Sequence, residues 1–163
     1  MARVYLSIGS NIEPETHIRS GVSALRAQFG QVELSSVYES AAVGFDGDNF
    51  YNLVAAIQTN MSLAELAEQL RAIEDAHDRS RAGPRFSSRT LDIDILLYDD
   101  LVINEGKLVL PREEITKNAF VLWPLAEVAP TLQHPVLKQS YAELWAAYDK
   151  DSQPLWPVEF DFG

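Results

Sequence analysis

The sequence predicts an α+β fold in which helices pack on one face of a mainly antiparallel sheet. Two observations carry that prediction. Hydrophobic periodicity switches between about two and about 3.6 residues in the order strand, helix, strand, strand, helix, strand. Across the 163 residues there is no internal repeat and no linker-like stretch, so one domain spanning 1–163 is expected, with 151–163 as a C-terminal tail.

Val4-Tyr5-Leu6-Ser7-Ile8 reads as a buried strand that ends at Gly9-Ser10-Asn11. Pro14 suits a helix first turn, and Ile18, Val22, Leu25 and Phe29 repeat at helical spacing until Gly30 stops the helix. β-Branched and aromatic residues over 32–38 predict a second strand. A loop follows over 41–48, and then Phe50–Thr59, a third strand that is apolar on both faces. Ser62 and Glu65 form a capping box for a helix that carries Leu63, Leu66, Leu70 and Ile73 and runs to about His77. Residues 78–90 lack periodicity, contain Gly83-Pro84 and read as a loop. The alternation over 91–98 predicts a fourth strand, with Leu91, Ile93, Ile95 and Leu97 on one face and Asp92, Asp94, Leu96 and Tyr98 on the other. A strand pair is expected around 101–103 and 107–110, and short helices over 119–128 and 141–148. The tail's Trp156, Phe160 and Phe162 are expected to pack on the body.

Composition narrows the function classes. No apolar run approaches the roughly 18 residues of a membrane span, and no secretory signal is apparent. The absence of cysteine excludes disulfides and thiol nucleophiles and fits a reducing cytoplasm. A net charge of −11 argues against general nucleic-acid binding, which needs cations to displace counterions. Yet five of the 13 basic residues, Arg71, Arg79, Arg81, Arg85 and Arg89, fall in one stretch of an acidic chain, where an anion would dock.

That stretch runs into Asp92 and Asp94. Two apart on a strand, their carboxylates leave the same face with Cα atoms roughly 6–7 Å apart. Such a pair repels itself, and a hard divalent cation relieves the repulsion. Mg²⁺ typically takes one or two carboxylates and completes its shell with phosphate oxygens and water. The plain structural reading is an acidic sheet edge paired with nearby arginines. Guanidinium groups, however, bind phosphate bidentately, and cations beside a metal-binding pair are what phosphoryl transfer requires. The pattern therefore points to a magnesium–nucleotide phosphate site. No Walker motif is present, and His17, His77 and His134 are scattered, each expected at the surface or a helix end.

Several segments together resemble the 6-hydroxymethyl-7,8-dihydropterin pyrophosphokinase family. They are Tyr5-Leu-Ser-Ile-Gly-Ser-Asn11, Ser36-Val-Tyr-Glu-Ser40, Phe50-Tyr-Asn52 with Leu53-Val-Ala-Ala56, and Ile73-Glu74 followed by Arg79-x-Arg81. The most specific are Arg85-Phe-Ser-Ser-Arg-Thr-Leu-Asp-Ile-Asp94 and Phe120-Val-Leu-Trp-Pro-Leu125. The resemblance implies a ferredoxin-like βαββαβ core and transfer of pyrophosphate from ATP to a pterin hydroxymethyl group, releasing AMP. It implies that Asp92 and Asp94 hold two Mg²⁺ ions, and that Arg79 and Arg89 stabilise the transferred group. Glu74, Arg81, Arg85 and Phe86 would bind ATP. Phe50 and Phe120 would sandwich the pterin, Asn52 would bond its edge, and Ser40, Ala41 and Val43 would supply backbone contacts.

The chain departs from the family pattern at Ala41-Ala42, Phe86-Ser87-Ser88, Arg112-Glu113 and Asn118. Arg112 is the candidate replacement for a nucleotide contact otherwise lost there. The expected partners are small molecules, ATP and a pterin, with no nucleic acid and no membrane; the sequence leaves the oligomeric state open, a monomer being the simpler expectation. The competing expectation is a divergent paralogue that binds a pterin or nucleotide without turnover.

Overall fold

The computed structural model describes residues 1–41, 49–77, 90–106 and 108–162. Strand β1 (Ala2–Ser10) is buried along nearly its whole length, so it reads as an apolar run and not as an alternation. Helix α1 (Pro14–Phe29) opens with Pro14 in its first turn and stops at Gly30. There φ is +79°, a conformation glycine adopts without strain, and the Gly30 N–H donates to the Arg26 carbonyl at 3.0 Å. Then come β2 (Glu33–Leu34), β3 (Val37–Ser40), β4 (Phe50–Thr59), α2 (Leu63–His77) and β5 (Asp92–Tyr98). The capping box holds: Ser62 N–H donates to Glu65 Oε1 at 3.1 Å, and Glu65 N–H donates to Ser62 Oγ at 3.2 Å.

The strands lie in the order β5-β1-β4-β3-β8, where β8 is Leu155–Val158, and β2 also pairs with β4. Each of these pairings is antiparallel. The first four strands of this order give the ferredoxin-like arrangement, in which each helix crosses over to leave space for a strand between.

Two cores sandwich the sheet. Val4, Leu6, Ile8, Leu53, Ala55, Ile57, Ile93 and Ile95 meet Ile18, Val22 and Leu25 of α1 and Leu66, Leu70 and Ile73 of α2. On the other face Tyr5, Val54, Ala56, Leu96 and Leu97 meet Ile115, Val121, Leu122, Leu125 and Tyr141. These last come from α3 (Glu114–Lys117), α4 (Ala119–Val128) and α5 (Tyr141–Ala147). Helices therefore cover both faces, not one, and β4 is apolar on both sides because both are buried. Each fully buried leucine or isoleucine contributes about 1.5–3 kcal/mol to this arrangement.

Four further expectations change. The strand expected over 32–38 is broken into β2 and β3 at Ser35-Ser36, where side chains take backbone bonds: Val54 N–H donates to Ser35 Oγ at 2.9 Å. The alternation expected across 91–98 holds through Leu96 and fails at Leu97. The pairing with β1 shifts between Tyr5 and Leu6, so Leu96 and Leu97 both enter the second core while Tyr98 turns to the first. Tyr98 Oη then donates to the Met61 carbonyl at 2.6 Å. The tail contains β8, an added edge strand, which is where a proline such as Pro157 is tolerated. Its Phe160 and Phe162 pack against the first core, while Trp156 is exposed. His134 is buried, not at the surface: its Nδ1 accepts from the Val136 and Leu137 N–H groups at 3.2 and 3.1 Å.

The expected strand pair is β6 (Ile103–Glu105) with β7 (Leu108–Leu110), a separate hairpin followed by a cis Leu110–Pro111 bond. No helix among the described residues is long and apolar enough to cross a membrane.

Candidate functional site

Strand register assembles the polar residues of the second sheet face into rows. Asn52 of β4 lies opposite Gly9 of β1 on one side and Tyr38 of β3 on the other. Gly9 in turn lies opposite Asp92 of β5. One row therefore runs Tyr38, Asn52, Gly9, Asp92, with Asn52 and Asp92 separated by a single strand, roughly 10 Å. The neighbouring row sets Asp94 opposite Ser7, and Ser7 opposite Val54. Because β5 is regular from Asp92 to Ile95, the two carboxylates do share a face, and both are half-buried.

Gly9 makes room for Asn52. A Cβ built on Gly9 would stand 2.6 Å from Asn52 Oδ1. Only hydrogen at this position lets the amide, itself 5 % exposed, occupy the row. Tyr38 packs its ring on Trp123 of α4 at 4.6 Å and donates its hydroxyl to Glu127 at 2.7 Å. Burial, followed by that bond to Glu127, pushes the Tyr38 hydroxyl above the usual phenol range, so it remains a donor at neutral pH. Glu127 also accepts from the Ser36 N–H at 3.1 Å and the Ser36 hydroxyl at 2.9 Å. A single carboxylate thus fastens the C-terminal end of α4 to β3.

The opposite end of α4 carries Phe120, partly buried against the second core. Phe50 begins β4, two residues before Asn52 and therefore on the same face, with Ser40 opposite it in the register. Ala41 follows as an exposed residue beyond β3. Phe50, Asn52, Ser40 and Phe120 thus come from two strands and the helix covering their common face.

Arg112 stands beside the carboxylate pair, with Nη2 3.6 Å from Asp94 Oδ1 and Nε 2.6 Å from Glu114 Oε2. Its backbone N–H donates to the Leu96 carbonyl at 3.0 Å, which ties the segment after the cis bond to β5. Glu74 of α2 accepts the Ile93 N–H at 2.9 Å. It therefore sits along the strand between the two aspartates and holds that strand in place. Asn118 Oδ1 accepts from Gln153 Nε2 at 3.4 Å. Val43, Arg79, Arg81, Arg85, Phe86 and Arg89 lie outside the described residues.

The donor set suits a magnesium ion: two half-exposed carboxylates on one face, hard oxygen ligands, with a shell that phosphate and water complete. Among the described residues there is no cluster of three or more His, Cys, Asp or Glu side chains that would form an all-protein cage. Sequence reasoning assigned no role to Gly9, Tyr38, Glu127 or Gln153. For Gly9 and Tyr38 a signal existed, since they stand in the Tyr5–Asn11 and Ser36–Ser40 segments that carry the family resemblance.

The family model for 7,8-dihydro-6-hydroxymethylpterin-pyrophosphokinase matches residues 5–130. The 2-amino-4-hydroxy-6-hydroxymethyldihydropteridine pyrophosphokinase of Pseudomonas aeruginosa is 38% identical over 137 residues, covering 82% of this chain and 84% of that protein. The Aquifex aeolicus protein of the same name is 36% identical over 149 residues, covering 88% and 90%. Among solved structures, wild-type Plasmodium falciparum HPPK-DHPS with pterin and p-hydroxybenzoate superposes with a TM-score of 0.72 at 15% identity. That match covers 92% of this chain but only 43% of the Plasmodium chain, and it speaks to the fold alone.

Proposed function

The chain belongs to the 7,8-dihydro-6-hydroxymethylpterin-pyrophosphokinase family, and from that premise we propose that it transfers pyrophosphate from ATP to the hydroxymethyl group of 6-hydroxymethyl-7,8-dihydropterin. AMP is the other product, and the reaction belongs to folate biosynthesis in the cytoplasm. One observation supports this reading above the rest. The Asp92/Asp94 pair and the Asn52 amide open on the same sheet face, one strand apart, beside Phe50 and the helix that carries Phe120.

In this reading Phe50 and Phe120 hold the flat ring, and Asn52 matches its edge with both a donor and an acceptor. Ser40, Ala41 and Val43 line the same pocket. The hydroxymethyl oxygen attacks the β-phosphorus as the bond from that phosphorus to the α–β bridging oxygen breaks, so AMP departs and the hydroxyl proton is lost to solvent. Asp92 and Asp94 would hold Mg²⁺, which when bound would supply neutralisation of phosphate charge. Arg79 and Arg89 stabilise the group in transfer, while Glu74, Arg81, Arg85, Phe86 and Arg112 contribute to the ATP site. Catalysis rests on positioning and electrostatics.

The test is to mix the protein with ATP, MgCl₂ and the pterin and measure AMP. The expected result is AMP release that falls at least about a hundredfold in Asp92→Ala and Asp94→Ala, the scale of losing a main electrostatic contact. The second reading, binding without turnover, draws on Arg112, whose cation lies 3.6 Å from a carboxylate that the metal needs. Tight pterin binding without AMP at any ATP concentration would favour it and sink the first.

A further inference from the structure

The family match ends at residue 130, yet a later segment touches both walls of the candidate pterin pocket. Gln153 is the point of contact on one wall. Its Oε1 accepts the Ala119 N–H at 2.8 Å, and its Nε2 donates to the Lys117 carbonyl at 3.2 Å and to Asn118 Oδ1 at 3.4 Å. Tyr148 Oη donates to the same Lys117 carbonyl at 2.7 Å. Helix α4 has no side-chain cap from its own N-cap residue, Asn118. One of the helix's orphan amides is therefore satisfied by a residue 34 positions away. Phe120 is the next residue after the amide so held.

The other wall is met two residues later. Leu155 of β8 lies opposite Ser40, and Trp156 lies opposite Glu39. Ser40 is also opposite Phe50 on its far side. Residues 153–155 thus run from the Phe120 end of α4 to the Ser40 end of β3, and 155–158 continue along β3 to Val37, bridging the two elements between which Phe50 and Asn52 lie.

We propose that Gln153 is a positioning residue for pterin binding, which sets Phe120 against Phe50 by capping α4 while the adjoining β8 holds the Ser40 wall. This rests on the pterin reading above. A local cap serves the second or third amide of a helix; the Ala119 amide is the first, and it is satisfied from the C-terminal segment. Gln153 touches neither the Asp92/Asp94 pair nor Arg112 in any described contact, so its effect should be confined to the pterin.

The test compares the full-length protein with Gln153→Ala and Gln153→Glu. Glutamate keeps an acceptor, and its charge suits a helix N-terminus, but it loses the two donated bonds. Pterin dissociation constants are read from ligand fluorescence, ATP constants from competition with a fluorescent analogue, and amide exchange at residues 119–122 from mass spectrometry. The expected result is a five- to tenfold weaker pterin constant in Gln153→Ala and an ATP constant within twofold. Exchange at 119–122 should be faster, and Gln153→Glu should lie between Ala and wild type. Pterin binding within twofold of wild type in folded Gln153→Ala overturns the proposal. So does a loss of equal size for pterin and ATP, which would mean general loosening. If the wild type itself binds no pterin, the functional reading fails instead, and the exchange data alone report whether the cap exists.

Discussion

A Cβ on Gly9 would meet Asn52 Oδ1 at 2.6 Å, well inside contact distance, while its next neighbours lie at 3.6 Å or beyond. The strand itself would tolerate alanine; the amide would not stay where it is. Gly9→Ala is therefore expected to weaken pterin binding by about tenfold, the loss of one to two well-placed hydrogen bonds, while leaving the fold intact. Titration of the pterin into Gly9→Ala and Asn52→Ala checks this, and unchanged affinity in the first with loss in the second would sink it. The residues that sequence reasoning could identify are those whose chemistry is local. Asp92 and Asp94 declare a shared face by spacing alone, and Ser62 and Glu65 declare a cap. Gly9, Glu127 and Gln153 act on partners far along the chain: the Tyr38–Glu127 bond joins positions 89 apart. No local pattern encodes such a pair.

At the scale of elements, what was legible is what periodicity governs. Helices α1, α2 and α4 and strands β1 and β4 follow from apolar spacing and its terminators. The breaks do not. Ser35 and Ser36 sit inside a β-favouring run and interrupt it through bonds to Val54 and Glu127, and the shift at Tyr5/Leu6 reverses the last residues of β5 without any sequence mark. The turn before α5 is another such case, and it carries a pH prediction. His134 accepts two N–H bonds at Nδ1, so that nitrogen must be unprotonated, and burial lowers the imidazole below its ordinary range. The unfolded histidine titrates near 6.5, the folded one lower. Its contribution is thus fully present above about 6.5 and is lost as pH falls toward the folded value, at no more than about 1.4 kcal/mol per pH unit. Urea unfolding at pH 7.5 and 5.5 is expected to show a larger drop for wild type than for His134→Asn, whose side-chain oxygen still accepts but does not titrate. Equal drops would refute it. Glu65 and Glu143, both held below the usual carboxylate range by their serine caps, titrate in a more acidic window and do not confuse the comparison.

Across the whole molecule, 24 acidic residues face 13 basic ones, and such a chain draws cations to itself without any specific site. A binding claim for Mg²⁺ must therefore be separated from general screening, and the site's own chemistry shows how. Two carboxylates supply a minority of a six-oxygen shell, so the ion should bind well only when triphosphate oxygens supply more of it. Stabilisation should then be cooperative: MgCl₂ alone or a non-hydrolysable ATP analogue alone raises the melting temperature little, and the two together raise it more than their sum. At ten times the dissociation constant a ligand contributes about 1.4 kcal/mol, which for a chain of this size corresponds to roughly 3–6 °C. The comparison is made at constant ionic strength with NaCl as the balancing salt, because screening alone stabilises a protein of this charge. Asp92→Asn keeps the size of the side chain and removes its charge, and it is expected to lose the joint increment while the separate effects of salt and analogue persist. A joint increment that survives in Asp92→Asn, or that NaCl reproduces, would move the cation from the β5 carboxylates to the diffuse acidity of the whole surface.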